Sequence, residues 1–240
     1  MNQELILQGH DVIWKKEIDS TNTECQRLWN QEKKMWVVLA ERQTQGRGRH
    51  GHIWQSTSPC NLYLSVVHKN PWGKKIGLLN LYYGVAVYET LIELFPDINS
   101  KITLKWPNDV YISKKKVAGI LLDSLDYDFE YIVFGLGLNV ACERSDMPEI
   151  GTVLSLESSY VDSDSLIKIV QVLIEKLDHD TALLDADVIL DKFKKYSQKT
   201  CIADYCYKAP HYEYTGRLYS VHNDGTIDIV VGNTIISLKD

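Results

Sequence analysis

Residues 105–123 read KWPNDVYISKKKVAGILLD: a proline-stiffened strand end, a polar turn and a second, apolar strand. The first strand begins near Ile102, Asn108 and Asp109 supply polar groups in the turn, and Val117–Leu122 is a buried run. Folding this hairpin back brings Lys116 towards Asn108. By spacing alone, Lys114-Lys115-Lys116 is also what a solvated turn looks like. Lys116 differs from its neighbours in leading straight into VAGILL, where Gly119 leaves room for something to approach the backbone.

Outward from the hairpin, the apolar pattern supplies more strands. Trp36–Glu41 is a buried run, and Leu62, Leu64 and Val66 alternate with Tyr63, Ser65 and Val67 at the period of two of a sheet strand. Tyr131–Leu136 runs into GLGLN, Gly135 to Asn139. Glycines weaken a strand unless a ligand or another backbone comes close, and Asn139 at the exit suits a ribose, a phosphate or a metal-bound water, or equally a turn. Thr21-Asn22-Thr23-Glu24 has the capping-box pattern and predicts a helix from Thr21 to about Asn30. A second helix runs from Ile76 to Phe95, before Pro96. A third follows Asp162-Ser163-Asp164, with Leu166, Val170, Leu173, Ile174 and Leu177 on one face, and is expected to pack across the sheet.

The pattern changes near residue 190. From Tyr212 on, Asn223-Asp224-Gly225 and Gly232-Asn233 punctuate alternating strands, which predicts a small antiparallel barrel or meander. A tail of roughly 45 residues is marginal by itself and must lean on the larger part.

Between Glu41 and Asn61 lie about 19 residues without periodicity, longer than the roughly 12 to 15 beyond which a loop is usually functional or disordered. Inside it stands GRGRHG, Gly46–Gly51. Glycines let backbone N–H groups turn towards an anion, and arginines offer forked donors that match carboxylate or phosphate oxygens. A solvated basic loop has the same composition, and this is not a Walker A sequence. The whole chain is acidic, with 26 Lys+Arg against 32 Asp+Glu in 240 residues. That balance argues against a broad nucleic-acid-binding surface and for a small anionic partner gripped locally.

The five cysteines (25, 60, 142, 201, 206) are odd in number and contain no C-x-x-C, so neither a disulfide framework nor a zinc site is expected; Cys201 and Cys206 are expected to be half-buried thiols. MNQELILQGH is too short in its apolar part for a secretory signal, and YIVFGLGLNVAC is too short to span a bilayer. A cytoplasmic protein without a membrane partner is the expectation.

EIDSTN, ERQTQGRGRHGHIWQS, NLYLSV, KWPNDV with KVAGIL, and GLGLN, in this order across residues 17–142, resemble the biotin–protein ligase family. The resemblance implies an α+β fold, a mixed sheet flanked by helices (1–190, binding biotin and ATP) with a small C-terminal SH3-like barrel (191–240). It implies adenylation of the biotin carboxylate by ATP with Mg²⁺, then transfer of biotin to a lysine of a biotin carboxyl carrier protein domain. Carried over by position, Ser20, Thr21, Gln43, Gly46, Arg47, Lys116, Gly119 and Gly135 fall on the biotin side, and Arg49, Trp54, Asn108, Lys116 and Asn139 on the nucleotide side. Lys116 matches the lysine that bridges the biotin carboxylate and the α-phosphate and, with Arg47, is the leading catalytic candidate; Asp109 is a candidate for orienting the acceptor lysine. No metal is expected to be ligated directly by side chains. Family members often pair through an edge of the central sheet, so a homodimer of that kind is a further expectation.

Two departures stand out. Where the family pattern carries a further basic residue, this chain has His52, and an imidazole is largely uncharged at neutral pH. EIDSTN begins at residue 17, which leaves no room for the helix-turn-helix domain of the family's repressor members, so no nucleic-acid partner is expected. A lipoate or octanoate transferase is the nearest rival, but the glycine triplet with a downstream His-Asp that marks those families is replaced here by G-R-G-R-H-G. A non-catalytic binding module could lose the loop arginines or Lys116 without penalty, yet all are present.

Overall fold

The computed structural model describes residues 7–56, 58–141, 151–180, 185–197, 205–209 and 212–239. The first part of the chain forms β1 (Asp11–Ile18), α1 (Thr21–Gln31), β2 (Trp36–Gln43), β3 (Leu62–Lys69), α2 (Ile76–Leu94), β4 (Ile102–Lys105), β5 (Asp109–Ile112), β6 (Lys115–Ser124) and β7 (Tyr131–Leu138). After these come α3 (Leu154–Glu157), α4 (Ser165–Asp180), α5 (Ala186–Ser197), and the strands β8 (Tyr205–Ala209), β9 (Tyr212–Val221), β10 (Ile227–Val231) and β11 (Thr234–Leu238). The fold is mixed α+β, with a seven-stranded sheet in the order β1-β2-β3-β7-β6-β5-β4 flanked by helices. Only the β1–β2 pair is parallel; the five remaining pairs are antiparallel.

The period of two divides the sheet into unlike faces. Val38 of β2, Val67 of β3 and Val133 of β7 meet Cys25 and Trp29 of α1 on one face. Val37, Leu39, Leu64, Val66, Phe134 and Leu136 point the other way, into the main core under α2. Leu78 to Tyr88 of α2 are buried without interruption, because α4 and α5 cover its far side. A helix enclosed all round is apolar all round. The long helix expected to cross the sheet, α4, therefore lies on α2 instead, with Ile169, Val170, Leu173, Ile174 and Leu177 buried there.

The expected capping box does not form. The helix starts after Ser20, whose side chain makes no cap hydrogen bond, while the Thr21 hydroxyl is engaged by Gln43 from β2. Residue 190 falls inside α5, so the change of pattern follows that helix. The C-terminal strands form a four-stranded antiparallel sheet, β11-β10-β9-β8, with left-handed glycines at both expected turns, Gly225 (φ 85°) and Gly232 (φ 59°). Ile227, Ile229 and Leu238 of this sheet belong to the same core as α2, which is the support a small tail needs.

Cys25 is buried and Cys60 exposed, both as free thiols. Cys142, Cys201 and the Cys206 side chain lie outside the described residues, and with them the expectation of half-buried thiols. Among the described residues no helix is long and apolar enough to cross a membrane.

Candidate active site

A cavity of about 340 Å³ opens on the α1 face, between the start of α1, strands β5–β7 and the loop after β2. Its floor follows from strand register. Gly119 of β6 pairs with Gly137 of β7, and Gly135 of β7 pairs with Leu121 of β6 and Ser65 of β3. All these residues share one face, so three glycines bare the backbone where side chains would stand. A Cβ on Gly135 would lie 2.0 Å from Asn22 Oδ1, and one on Gly137 2.3 Å from the Trp54 ring. A side chain at either position would have to displace its neighbour.

Lys116 reaches this floor through an irregularity in β6. Val110 pairs with Ala118 but Tyr111 with Lys116, so Val117 is an extra residue opposite β5. Such a bulge re-aims side chains. In a regular strand Lys116 would share the face of Ala118 and Ile120, both buried in the main core. The extra residue turns it over. Lys116 Nζ lies 2.7 Å from Asp109 Oδ1 and 5.4 Å from the centre of the Trp54 ring. The lysine–carboxylate contact is an ion pair without hydrogen-bond alignment, since Asp109 Oδ1 is buried with no hydrogen-bond partner. The expected approach of Lys116 to the Asn108 turn is thus met, although the hairpin tip lies further on, at Ser113 and Lys114, both with positive φ.

The roof is the Gly-Arg loop, folded as a tight hairpin. The Trp54 N–H donates to the Gly46 carbonyl (3.0 Å), the Gly48 N–H donates to the His52 carbonyl (2.7 Å), and Arg47 bridges to Ile53. His50 (φ 52°) and Gly51 (φ 78°) turn the tip in the left-handed region. A Cβ on Gly46 would lie 2.4 Å from the Trp54 carbonyl, so glycine is what lets the hairpin base close.

A polar network ties roof to floor. The Thr21 N–H and hydroxyl donate to Gln43 Oε1 (2.9 and 3.1 Å). The single Ser65 hydroxyl proton serves Asn22 Oδ1 (2.6 Å) or Thr21 Oγ1 (2.7 Å). Asn22 Nδ2 donates to Asp123 Oδ2 (2.9 Å), which also accepts from Arg47 (2.6 Å). Arg49 donates to Asn108 Oδ1 (3.3 Å). Burial pushes the Arg49 guanidinium down to about 10 while Asp109 pulls it upward, so it is charged but poorly solvated at neutral pH.

Four cationic side chains (Arg47, Arg49, Lys105, Lys116) line the cavity against one carboxylate, Asp109. A chain of net charge −6 has gathered positive charge at one point. Of the residues expected from sequence, Ser20, Thr21, Gln43, Arg47, Arg49, Trp54, Asn108, Asp109, Lys116, Gly119 and Gly135 line the cavity. Gly46 sits at the base of the roof. Asn139 does not line it: the residue is buried at the end of β7, where its carbonyl accepts from Leu154 N–H. Asn22, Gly137 and Asp123 were not expected. The period of two from Gly135 and from Gly119 was the signal that would have found Gly137 and Asp123.

A basic roof over a glycine floor gives the cavity the charge to attract an anion and the room for it to approach the backbone. The sequence model of the biotin/lipoate A/B protein ligase family matches residues 14–139, the span that builds it. The chain belongs to this family. Curated relatives include the bifunctional ligase/repressor BirA of Escherichia coli (strain K12), 37% identical over 141 residues, covering 58% of this chain and 43% of that protein. The biotin–[acetyl-CoA-carboxylase] ligase of Mycobacterium tuberculosis is 38% identical over 128 residues, covering 50% of this chain and 45% of that protein. The chain spans less than half the length of these curated relatives. Among solved structures, the biotin protein ligase from Aquifex aeolicus in complex with biotin and ATP superimposes with a TM-score of 0.73 at 26% identity, covering 95% of both chains. In this family the glycine floor and the Gly-Arg roof fall within the matched span, whereas the C-terminal sheet lies beyond it.

Proposed function

We propose that this chain is a biotin–protein ligase, which activates biotin with ATP and transfers it to a lysine of a biotin carboxyl carrier protein domain. The observation that carries this reading is the Val117 bulge, which turns Lys116 out of the core and into a cavity already lined by Arg47 and Arg49. The names of the curated relatives and the Aquifex complex with biotin and ATP support it.

In the first step a biotin carboxylate oxygen bonds to the α-phosphorus of ATP, the bond from that phosphorus to the bridging oxygen of the β-phosphate breaks, and pyrophosphate leaves. Two anions must meet, so cations have to offset their repulsion and the charge that builds at phosphorus. Lys116 bridges the carboxylate and the α-phosphate, exchanging its Asp109 contact for them. Arg47 supports the carboxylate and Arg49 the phosphates. Ser20, Thr21, Gln43, Gly46, Gly119 and Gly135 form the biotin side; Trp54 and Asn108 belong to the nucleotide side, as does Asn139 by its place in the family pattern although it does not line the cavity. The buried Trp54 Nε1, which has no hydrogen-bond partner, is a donor that a ligand can satisfy. In the second step the acceptor amine attacks the acyl carbon, AMP leaves, and the amine loses a proton. Asp109 orients that amine once Lys116 has moved to the ligand.

Mg²⁺ would enter with the triphosphate, held by its phosphate oxygens and water. The same reading makes the C-terminal sheet an SH3-like barrel, a unit separate from the biotin- and ATP-binding part. It places the protein in the cytoplasm and lets two copies pair through an edge of the central sheet.

The test is mass spectrometry of a carrier domain incubated with the protein, ATP, Mg²⁺ and either biotin or lipoate. A mass gain of one biotinyl group, only with biotin and only with ATP, is expected. Gain with lipoate alone would keep the fold and overturn the substrate; no gain with either would reduce the site to a binding module.

A further inference from the structure

The cavity wall is held from behind by the C-terminal sheet. Trp106, the residue that precedes Pro107, Asn108 and Asp109, is only 5% exposed, and its indole N–H donates to the Gly225 carbonyl at 2.9 Å in a buried hydrogen bond. Gly225 sits in the turn between β9 and β10, which is closed by its own hydrogen bonds. The Gly225 N–H donates to the His222 carbonyl (2.9 Å), the His222 N–H donates to the Thr226 carbonyl (2.9 Å), and both the N–H and the hydroxyl of Thr226 donate to Asp224 Oδ1 (3.0 and 2.6 Å).

The turn also docks backbone to backbone on the first turn of α2. A Cβ on Gly77 would lie 2.2 Å from the Asp224 carbonyl oxygen, and one on Gly225 would lie 2.3 Å from the Gly77 carbonyl carbon. Two glycines facing each other at this range allow an approach that no other residue pair permits. The turn therefore cannot shift towards α2, and its carbonyl is presented to Trp106 at a fixed point. On the cavity side, the segment after Trp106 delivers Asn108 to Arg49 and Asp109 to Lys116.

Resting on the ligase reading above, we propose that Trp106 is a positioning residue for the nucleotide side of the site, and that the Gly77–Gly225 dock sets its place. The C-terminal turn then controls Asn108 and Asp109 without touching a substrate. Among the described residues, no such hydrogen bond joins the C-terminal sheet to the biotin side, built from the start of α1, Gln43 and Gly135.

The experiment uses the full chain and two independent lesions. Trp106→Phe keeps a ring at the cavity wall, which Trp106 itself helps to line, and removes the indole donor; Gly77→Ala pushes the turn away and substitutes no cavity residue. Each is expected to raise the KM for ATP about tenfold with kcat within twofold and with an unchanged biotin Kd by calorimetry. Each is also expected to shift the Asn108 side-chain amide resonances in NMR spectra. A merely structural contact would lower Tm and kcat together and leave the KM for ATP alone, and that result, or an unmoved Asn108 amide in a folded variant, overturns the proposal. If the wild type itself does not activate biotin, the ligase reading has failed. The NMR comparison then still decides whether Trp106 and the dock position Asn108.

Discussion

The floor and the roof of the cavity are built by different means. The floor is backbone: Gly119, Gly135 and Gly137 lie in register on β6 and β7, and Ser65, Asn22 and the sheet ladders fix their places. The roof is a hairpin from Gly46 to Trp54 joined to the sheet by side chains, chiefly Arg47 to Asp123, Arg49 to Asn108 and the Trp54 ring on the glycines. A ladder opens only with its sheet, whereas individual side-chain contacts exchange freely. The difference assigns shape to the glycines of the floor and a movable share of the charge, Arg47 and Arg49, to the roof.

The sharpest way to break that comparison is a side chain on the floor. Gly135→Val places atoms where Asn22 Oδ1 stands, 2.0 Å from the ideal Cβ, and Asn22 is locked between Ser65 and Asp123. Biotin affinity measured by calorimetry should fall by about two orders of magnitude, the scale of a few kcal/mol for a disrupted buried polar site. Gly137→Ala meets the Trp54 ring, which the roof can carry aside. Its effect should be about tenfold; if the two variants lose equally, floor and roof do not differ in rigidity.

Asp123→Asn probes the tie between roof and floor, since the same carboxylate oxygen accepts from Arg47 and from Asn22. It removes the charge partner of Arg47, whose side chain is 44% exposed. A partly exposed pair contributes on the order of 1 kcal/mol or less, so the unliganded loop should be cut by trypsin after Arg47 several-fold faster than in wild type. Asp123→Glu should restore protection. Unchanged cleavage would mean that Asp123 does not hold the loop.

A further effect lies away from the site. His68 is buried beneath α4, with the Tyr83 hydroxyl donating to its Nδ1 (2.7 Å). Burial pushes it down to about 4, against the upward pull of Asp178 and of a hydrogen bond to the Leu177 backbone. Between pH 6.5 and 4 the unfolded chain takes up a proton there and the folded chain does not. Stability from this residue is therefore complete above pH 6.5 and falls as pH drops to 4, by at most about 1.4 kcal/mol per pH unit. Carboxylates held below their usual range, such as Asp97 and Asp162, act at lower pH, below their ordinary value of 3.8. Urea denaturation of His68→Gln should show a flatter pH dependence over the upper window; an unchanged slope would assign the loss elsewhere.

What the sequence revealed follows the same division. Alternation in β3 and the glycines of GLGLN were legible because a buried strand writes its period of two directly. The β1 strand was not, since Lys15, Lys16 and Glu17 stand consecutively on an exposed edge and erase the alternation. Thr21 looked like a cap because local pattern cannot show that Gln43, far along the chain, engages its hydroxyl. The length of the roof loop was legible; its fold was not, because the closing contact uses backbone atoms of Gly46 and Trp54. Most hidden was the bulge at Val117. Two adjacent apolar residues, Val117 and Ala118, both enter the core, and nothing short of the register with β5 shows that Lys116 has changed face.

The most direct test of the account is exchange of labelled pyrophosphate into ATP, measured with and without biotin in the wild type and in Lys116→Ala. Exchange that requires biotin, and that falls at least 100-fold in the variant while biotin still binds, is the predicted result. Exchange without biotin, or undiminished exchange in Lys116→Ala, would contradict the claim that the bulge brings Lys116 to the reacting oxygens.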